Sequence, residues 1–258
     1  MVSEAREPHG TDDSRPSSEP LWAVVPAAGS GTRMARGHAP PERPKQYLSL
    51  GGRTLIERAL ETLLAVPGLA GVVVALAADD DRWEALDVAA DPRVHRASGA
   101  TTRAGSVAAA LERLAELAPG GTRVLVHDAA RPLVSRADIV RLVDCIDNGG
   151  ATGGLLAVPV HDTLKRAGED CRIEATVPRE RLWRAQTPQL FRLGELRDAL
   201  ASAARDGLEI TDEASAMELA GHEPQLVEAL DPNPKITRAS DLGIAEALLA
   251  HRRASTCA

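Results

Sequence analysis

Aromatic residues are scarce in this sequence, which has three Trp, one Tyr and one Phe among 258 residues. Hydrophobic residues still make up 44% of the chain, so aliphatic side chains must fill the interior. An aliphatic core is usual where helices pack on a sheet. Since the length suits one large domain or two small ones, the composition favours a layered α/β protein.

Cysteine is also scarce, and the three that occur are scattered at Cys145, Cys171 and Cys257. They are too few for a disulfide framework or a zinc site, and they favour a reducing compartment such as the cytoplasm. None of the seven His falls in an HxH or HExxH spacing. The sequence therefore indicates no metal site built from histidines.

Long apolar runs and an excess of positive charge are both missing. No stretch approaches the ~20 apolar residues of a membrane span. The net charge of −7 argues against a general affinity for nucleic acid, because such binding needs clustered Lys and Arg. Residues 1–20 are rich in Ser, Pro, Asp and Glu, which predicts a disordered tail rather than a signal peptide. We expect a soluble protein in which any anion site is local.

Short apolar runs alternate along the chain with stretches of helical spacing. The apolar runs predict strands at 21–25, 71–76, 123–126, 154–158 and 224–228. The helical spacing predicts helices at 54–66, 102–117, 136–147, 193–205, 212–220 and 239–250, with Thr54, Ser135 and Thr211 as capping residues. This alternation predicts parallel strands with ligand loops at their carboxyl ends. We expect one domain over residues 21–250 and a C-terminal tail at 251–258.

Residues 161–184 interrupt the alternation and predict a hairpin. Two charged runs, 163–167 and 171–176, flank a turn at 168–170. Because an isolated two-stranded arm buries little apolar surface, packing on a second subunit is a sensible source of support. The alternative is a plain surface excursion.

A loop of small residues follows the first predicted strand and predicts a phosphate-binding site. It consists of Pro26, Ala27, Ala28, Gly29, Ser30, Gly31, Thr32 and Arg33. Small residues let backbone N–H groups approach a triphosphate closely, while Arg33 and Lys45 add positive charge. An ordinary tight turn is the alternative. No Gly-Lys-Ser/Thr follows, so the loop is not a P-loop, and Met34 breaks the dinucleotide fingerprint.

A second candidate site, the segment His127-Asp128-Ala129-Ala130-Arg131-Pro132, directly follows the predicted strand at 123–126. A carboxylate at the carboxyl end of a strand can hold Mg²⁺, which prefers one or two carboxylates together with substrate phosphates. Asp128 is therefore the candidate metal ligand. The alternative is that Asp128 caps a helix and pairs with Arg131 on the surface.

Seven motifs together carry a family resemblance that covers about residues 21–250. They are PAAGSGTRM at 26–34, PKQY at 44–47, HDAARP at 127–132, VHDTLKR at 160–166, TPQLF at 187–191, ITDEAS at 210–215 and PKITR at 234–238. In this order they resemble the 2-C-methyl-D-erythritol 4-phosphate cytidylyltransferases of the non-mevalonate isoprenoid pathway. The glycine loop alone is shared more widely among nucleotidyltransferases, so the ordered set is the specific feature.

The resemblance implies a Rossmann-like three-layer α/β/α fold with a projecting β-arm that mediates homodimerisation. It also implies a cytoplasmic enzyme that uses CTP, Mg²⁺ and 2-C-methyl-D-erythritol 4-phosphate. The products would be 4-diphosphocytidyl-2-C-methyl-D-erythritol and pyrophosphate.

The resemblance further implies a role for each matching residue. Arg33 and Lys45 would steady charge on the α-phosphate, and Asp128 would hold the metal. Arg179 and Lys235 would position the methylerythritol phosphate. Hydrogen bonds would come from Arg131, Thr163, Thr187 and Thr211, and contacts to the cytidine from Gly99, Ala100, Arg103 and Ser106.

Two departures from the family pattern bear on these roles. The stretch from Met34 to Lys45 is longer than usual and contains three prolines, so Lys45 is expected on a mobile flap. Ala100 stands where the family generally has a second glycine, and its methyl group could shift the backbone that contacts the base. Two other functions remain open at this point: a cytidylyltransferase for a pentitol phosphate such as ribitol 5-phosphate, and a non-catalytic nucleotide-binding domain.

Overall fold

The computed structural model describes residues 19–29 and 43–256. The strands are β1 (Leu21–Pro26), β2 (Ser49–Leu50), β3 (Arg53–Thr54), β4 (Leu69–Leu76), β5 (Val94–Ser98), β6 (Arg123–Val126), β7 (Gly153–Pro159), β8 (Leu164–Ala167), β9 (Ile173–Val177), β10 (Trp183–Arg192) and β11 (Gln225–Glu228). The helices are α1 (Leu55–Leu64), α2 (Arg103–Ala115), α3 (Arg136–Gly149), α4 (Leu193–Arg205), α5 (Glu213–Leu219) and α6 (Ala239–Thr256). All five predicted strands and all six predicted helices are present.

Seven strands form the central sheet, in the order β11-β7-β10-β6-β1-β4-β5. Strand β10 runs antiparallel to both of its neighbours, β6 and β7. The remaining pairs are parallel. The five strands predicted from the sequence therefore run parallel to one another, as expected, and the antiparallel strand β10 was not among them.

Strand β10 was not predicted, because a proline interrupts its sequence. Proline cannot donate to a strand ladder and normally argues against a central strand. Here Pro188 falls within an irregularity in the pairing with β7, between Ala185 and Gln189, and the Thr187-Pro188 peptide is cis. The strand therefore continues past the proline, and both of its halves lie in the sheet.

Each face of the sheet carries its own layer of helices. On β1, Ala23 and Val25 face the apolar layer that contains α1 and α3. Trp22 and Val24 point the opposite way, toward α2, α4 and α5. Because side chains alternate along a strand, these aliphatic runs bury both faces, as is typical of a sheet between two helix layers. The predicted three-layer α/β/α architecture is confirmed.

Two of the three predicted helix caps are confirmed and one is displaced by a residue. The side chains of Thr54 and Ser135 accept backbone N–H bonds at the starts of α1 and α3. Helix α5 is capped by Asp212, whose carboxylate accepts the N–H of Ser215 at 2.9 Å, and not by Thr211. A carboxylate at this position also interacts favourably with the positive end of the helix dipole.

The C-terminal helix is longer than the sequence predicted. Helix α6 continues to Thr256, so most of the stretch expected to be a tail, 251–258, is helical. In the part of the chain that the structure describes, no helix combines the length and apolarity needed to cross a membrane.

The predicted hairpin is present as a separate two-stranded sheet. Strands β8 and β9 pair antiparallel, with Leu164 opposite Val177. Nearly all of its side chains are exposed, and Ile173 retains 67% of its accessible surface. The hairpin therefore buries little of its own apolar surface.

Candidate active site

A cavity of about 480 Å³ opens at the carboxyl ends of β1, β5 and β6. In open α/β sheets this edge is where ligands bind. The lining residues are Pro26, Ala27, Ala28, Gly29, Lys45, Gln46, Ala100, Thr101, Thr102, Arg103, Ser106, Asp128, Ala129, Ala130, Lys235 and Thr237. The two loops singled out from the sequence thus meet in one cavity.

The loop after β1 is held from two sides. The N–H of Ala27 donates to the carbonyl of Ala75 at 2.8 Å, which continues the pairing with β4. The buried side-chain amide of Gln46 donates to the carbonyl of Ala27 at 2.7 Å. Gln46 thereby joins the phosphate-loop candidate to the turn that carries Lys45.

The loop after β5 approaches the loop after β1 so closely that only glycine fits at residue 99. A Cβ atom on Gly99 would lie 2.3 Å from the Cβ of Ala28. The following turn is held by the buried Ser106 hydroxyl, which accepts the N–H of Ala100 at 3.0 Å. The methyl group of Ala100 lies over Gly105, where any side chain would come within 2.9 Å of it. Gly105 therefore leaves room for the alanine at position 100.

The Asp128 carboxylate accepts hydrogen bonds from two cations, and a third, Nε of Arg131, lies 3.9 Å from its Oδ2. Its Oδ1 accepts from Nε of Arg103 at 2.8 Å, and its Oδ2 accepts from Nζ of Lys235 at 2.6 Å. Burial disfavours the charged carboxylate, but attraction to Arg103 and Lys235 outweighs it and holds the Asp128 pKa below its usual range. Asp128 is therefore an anion at neutral pH. Because the Asp128 side chain is only 8% exposed, the alternative of a surface pair between Asp128 and Arg131 is excluded.

The segment that carries Lys235 is fastened to the Asp128 turn. The N–H of Ile236 donates to the carbonyl of Ala130 at 2.8 Å, and Arg131 donates to the carbonyl of Asn233 at 2.8 Å. These bonds bring Lys235 to Asp128 across more than a hundred residues of sequence. Arg131 thus supports this segment from beside the cavity.

A buried network behind Asp128 fixes its backbone. The N–H of Asp128 donates to Oγ1 of Thr187 at 3.0 Å, and this hydroxyl lies 3.0 Å from Nδ1 of His127. The Nε2 of His127 lies 3.1 Å from the carbonyl of Arg131, which can only accept. His127 therefore carries its proton on Nε2 and accepts from Thr187 at Nδ1. Burial lowers the pKa of His127 to about 4, so the ring is neutral at neutral pH.

This buried histidine predicts an acid-sensitive fold. The pKa of His127 is about 4 in the folded protein, below its usual value of 6.5. The neutral ring therefore makes its full contribution to the free energy of unfolding above pH ~6.5, and this contribution is lost as the pH falls toward 4. Between pH 7 and pH 5 we expect the free energy of unfolding to fall by about 2 kcal/mol from this group. Asp128 does not contribute in this range, because its pKa is already lowered.

Urea unfolding at both pH values measures this change. The matched variant His127→Asn retains a hydrogen-bonding side chain but does not titrate, so its unfolding free energy should change less. An equal pH dependence in the two proteins would show that His127 is not the responsible group.

Known proteins resemble this chain over the stretch that forms the central sheet and the cavity. A family model described as 2-C-methyl-D-erythritol 4-phosphate cytidylyltransferase matches residues 21–251. The chain belongs to the 2-C-methyl-D-erythritol 4-phosphate cytidylyltransferase family. The match includes the whole central sheet and every segment that lines the cavity.

Similar curated proteins and solved structures carry the same family name. Cytidylyltransferases of this name from Pseudomonas putida and Pseudomonas aeruginosa are 52% and 53% identical over 223 residues. These alignments cover 86% of this chain and 92% and 93% of the relatives. The crystal structure of the Francisella tularensis enzyme is 33% identical with a TM-score of 0.76, covering 89% of this chain and all of that one.

Several of the family residues predicted from the sequence converge on the cavity. The structure brings together Pro26, Ala27, Ala28, Gly29, Lys45, Ala100, Arg103, Ser106, Asp128 and Lys235. Gly99, Arg131 and Thr187 lie directly behind this group and position its members. Ser30, Gly31, Thr32 and Arg33 lie outside the described residues.

Three predicted substrate-binding residues do not line this cavity. Thr163 and Arg179 are exposed at the open end of the hairpin, beyond the Leu164–Val177 pair, and the guanidinium of Arg179 donates to the carbonyl of His161. Thr211 is exposed just before α5, with its hydroxyl 3.4 Å from that of Ser215. None of the three is among the residues that line the cavity.

Lys45, which the sequence placed on a mobile flap, belongs to a hydrogen-bonded turn in the structure. Lys45 begins a 3-10 turn, Lys45–Tyr47, whose next two residues are buried. Gln46 bonds to Ala27, and the hydroxyl of Tyr47 donates to Oδ2 of Asp80 at 2.7 Å. These two anchors fix the backbone at Lys45, while residues 30–42 lie outside the described part of the chain.

The residues present fit a divalent cation held largely by its substrate. Asp128 is the single carboxylate among the described residues that line the cavity, and those residues contain no group of three His, Cys, Asp or Glu side chains able to hold a metal alone. Mg²⁺ needs only one or two carboxylates when phosphates supply further oxygens. One anionic ligand in a cavity that is also lined by the small-residue loop matches this mode of binding.

Sequence reasoning did not assign Gln46, His127 or Glu213. Each lies inside a motif that was recognised, so its position was visible, but its burial was not. The sequence signal that could have indicated these residues is a polar side chain inside a recognised motif, as where Gln46 follows Lys45 and His127 precedes Asp128.

Proposed function

We propose that this chain transfers the cytidylyl group of CTP to the phosphate of 2-C-methyl-D-erythritol 4-phosphate. A phosphate oxygen attacks the α-phosphorus of CTP, the bond to the bridging oxygen breaks, and pyrophosphate leaves. The observation that carries the proposal is the convergence of Lys45, Lys235, Arg103 and Asp128 on one cavity bordered by the small-residue loop. Orienting the substrates and neutralising their charge are the main services that nucleotidyl transfer requires.

The cavity provides the parts that this reaction needs. The loop at 26–29 offers backbone to the triphosphate, and Lys45 lies beside it as a point charge. The attacking phosphate is already anionic at neutral pH, so no general base is required. A reaction without a general base leaves no catalytic role for His127, and both of its ring nitrogens are occupied by structural hydrogen bonds.

Mg²⁺ is part of this proposal, with Asp128 as its protein ligand. The ion would neutralise charge on the phosphates of CTP. Lys235 contacts Oδ2 of Asp128 in this structure, so Asp128 can hold a cation at that oxygen.

We also propose a homodimer in the cytoplasm, in which the hairpin packs on a second copy. The exposed apolar side chains Ile173 and Trp183, at 67% and 37%, favour burial against a partner. In this arrangement Arg179 and Thr163 reach the active site of the neighbouring subunit, which explains why neither lines the cavity of its own chain. Light scattering on the purified protein measures the assembly.

The proposed function is tested by measuring pyrophosphate release. Purified protein is given CTP and Mg²⁺ with 2-C-methyl-D-erythritol 4-phosphate, with ribitol 5-phosphate, or with neither. We expect rapid release only with the first. Release only with ribitol 5-phosphate would indicate a pentitol-phosphate enzyme, and no release with either would indicate a non-catalytic nucleotide-binding protein.

Arg179→Ala is expected to weaken the binding of the alcohol substrate and to leave the affinity for CTP unchanged. Losing a guanidinium contact to a phosphate should raise the KM for 2-C-methyl-D-erythritol 4-phosphate by at least ~tenfold. Steady-state kinetics and calorimetric titration with CTP measure the two effects separately. A loss of CTP affinity would contradict this division of roles.

Mixing two variants tests whether Arg179 acts across the dimer. Refolding Arg179→Ala together with Asp128→Asn forms mixed dimers in which one site has both intact residues. We expect activity to recover to about a quarter of the wild-type value, because half of the dimers are mixed and each has one intact site. If Arg179 serves its own chain, mixing restores nothing.

A further inference from the structure

Glu213 is a buried carboxylate at the start of α5, and it is held by a single partner side chain. Its side chain is 1% exposed. Its Oε1 accepts from one terminal nitrogen of Arg103 at 2.7 Å, and its Oε2 accepts from the other at 3.0 Å. This is the two-pronged arrangement in which a planar guanidinium binds a carboxylate most favourably.

This pair fixes the direction in which Arg103 faces Asp128. The guanidinium group is planar and rigid, so holding both terminal nitrogens on Glu213 leaves Nε as the donor that points the other way. That Nε donates to Oδ1 of Asp128 at 2.8 Å. Arg103 thus gives Asp128 one hydrogen bond, and Oδ2 remains available to Nζ of Lys235 at 2.6 Å.

The helix that carries Glu213 is itself anchored to the sheet. The buried Gln189 on β10 donates to the Asp212 carboxylate at 2.9 Å and accepts the N–H of Ala214 at 2.8 Å. Gln189 therefore holds the residues on both sides of Glu213. The position of the Glu213 carboxylate is set by the central sheet and not by a surface helix that can shift.

We propose that Glu213 is a positioning residue for the transfer reaction, acting on Asp128 through Arg103. This inference rests on the proposed function. Glu213 keeps the two-pronged face of Arg103 away from Asp128 and so leaves the second oxygen of Asp128 to Lys235 or a cation. Without the Glu213 charge, the guanidinium turns and binds both oxygens of Asp128, since that pairing is the favoured one for arginine and carboxylate.

Glu213→Gln tests the proposal, because glutamine retains the size of the side chain and removes its charge. We expect kcat to fall at least ~tenfold with a smaller change in the KM for CTP, as when an interaction of the transition state is lost. In an Asp128→Asn background the same substitution should change kcat less than about twofold, because coupled residues are not additive. Equal factors in the two backgrounds would show a merely structural role and overturn the proposal.

A second measurement does not depend on activity. Labelling of Lys235 by an amine-reactive reagent, followed by mass spectrometry, reports whether its Nζ is paired with Asp128. Because Arg103 displaces Lys235 in Glu213→Gln, we expect labelling at least ~threefold faster than in wild type. Unchanged labelling would overturn the proposal even if the wild-type protein showed no transferase activity, which keeps it separate from the proposed function.

Control variants separate this effect from loss of folding. Glu218→Gln changes an exposed residue of the same helix and should behave as wild type in both measurements. If Glu213→Gln does not fold, Glu213→Asp replaces it in the same cycle, because its shorter side chain withdraws the carboxylate from Arg103 and so breaks the two-pronged pair. A smaller change in kcat in the Asp128→Asn background than in the wild-type background supports the proposal, and equal changes in the two backgrounds overturn it.

Discussion

Asp128→Asn is expected to lower kcat for pyrophosphate release by at least ~100-fold, an effect typical of losing a preorganised electrostatic group. The amide has the same shape as the carboxylate but no charge, so it neither pairs with Lys235 nor holds a metal ion. It also turns an N–H donor toward two cationic donors. Arg103 keeps Glu213 as a counter-charge, so its own charge stays paired.

Rapid-quench measurement of a single turnover at saturating CTP isolates the chemical step of this variant. Asp144→Asn, which changes an exposed residue of α3, is the matched control and should retain wild-type turnover. A thermal melt close to wild type would confirm that the loss is local. If Asp128→Asn retained turnover within about threefold, the electrostatic role assigned to this carboxylate would be wrong.

Lys45→Ala is expected to lower turnover by at least tenfold with little change in folding, since losing one transition-state donor costs up to ~3 kcal/mol. Gln46 and Tyr47 anchor the turn independently of the Lys45 side chain, so the backbone should stay in place. The variant therefore reports on the charge of Lys45 at the cavity.

Steady-state kinetics and circular dichroism check the two parts of this prediction. Lys45→Arg is the matched comparison, because it keeps a positive charge but changes its shape. We expect it to retain more activity than Lys45→Ala. Unchanged turnover in Lys45→Ala would remove this residue from the mechanism.

The order of elements and the cavity loops could be predicted from the sequence, because both depend on local chemistry. Aliphatic runs such as 71–76 form strands wherever two helix layers cover them, and Thr54 caps a helix through neighbours three residues away. The loops at 26–29 and 127–132 directly follow such strands. Parallel pairing then places them at the same edge of the sheet.

The antiparallel strand β10 could not be predicted in this way. Its direction depends on the partners β6 and β7, which lie earlier in the sequence, and Pro188 hides the strand from any local pattern. The hairpin at 161–184 was predicted as a hairpin, but only the tertiary structure shows that Thr163 and Arg179 do not line the cavity of their own chain. Their absence from that lining is what makes a contribution to a neighbouring subunit worth testing.

The sequence by itself determined the family, the six helices, five of the seven strands of the central sheet and most of the cavity residues, since all of these depend on short contiguous patterns. Only the tertiary structure decided the charge arrangement at the site. Arg103 and Glu213 are 110 residues apart along the chain and meet because two helices pack on the same face of the sheet. Burial and pairing of charges depend on such distant contacts, and no local pattern of residues encodes them.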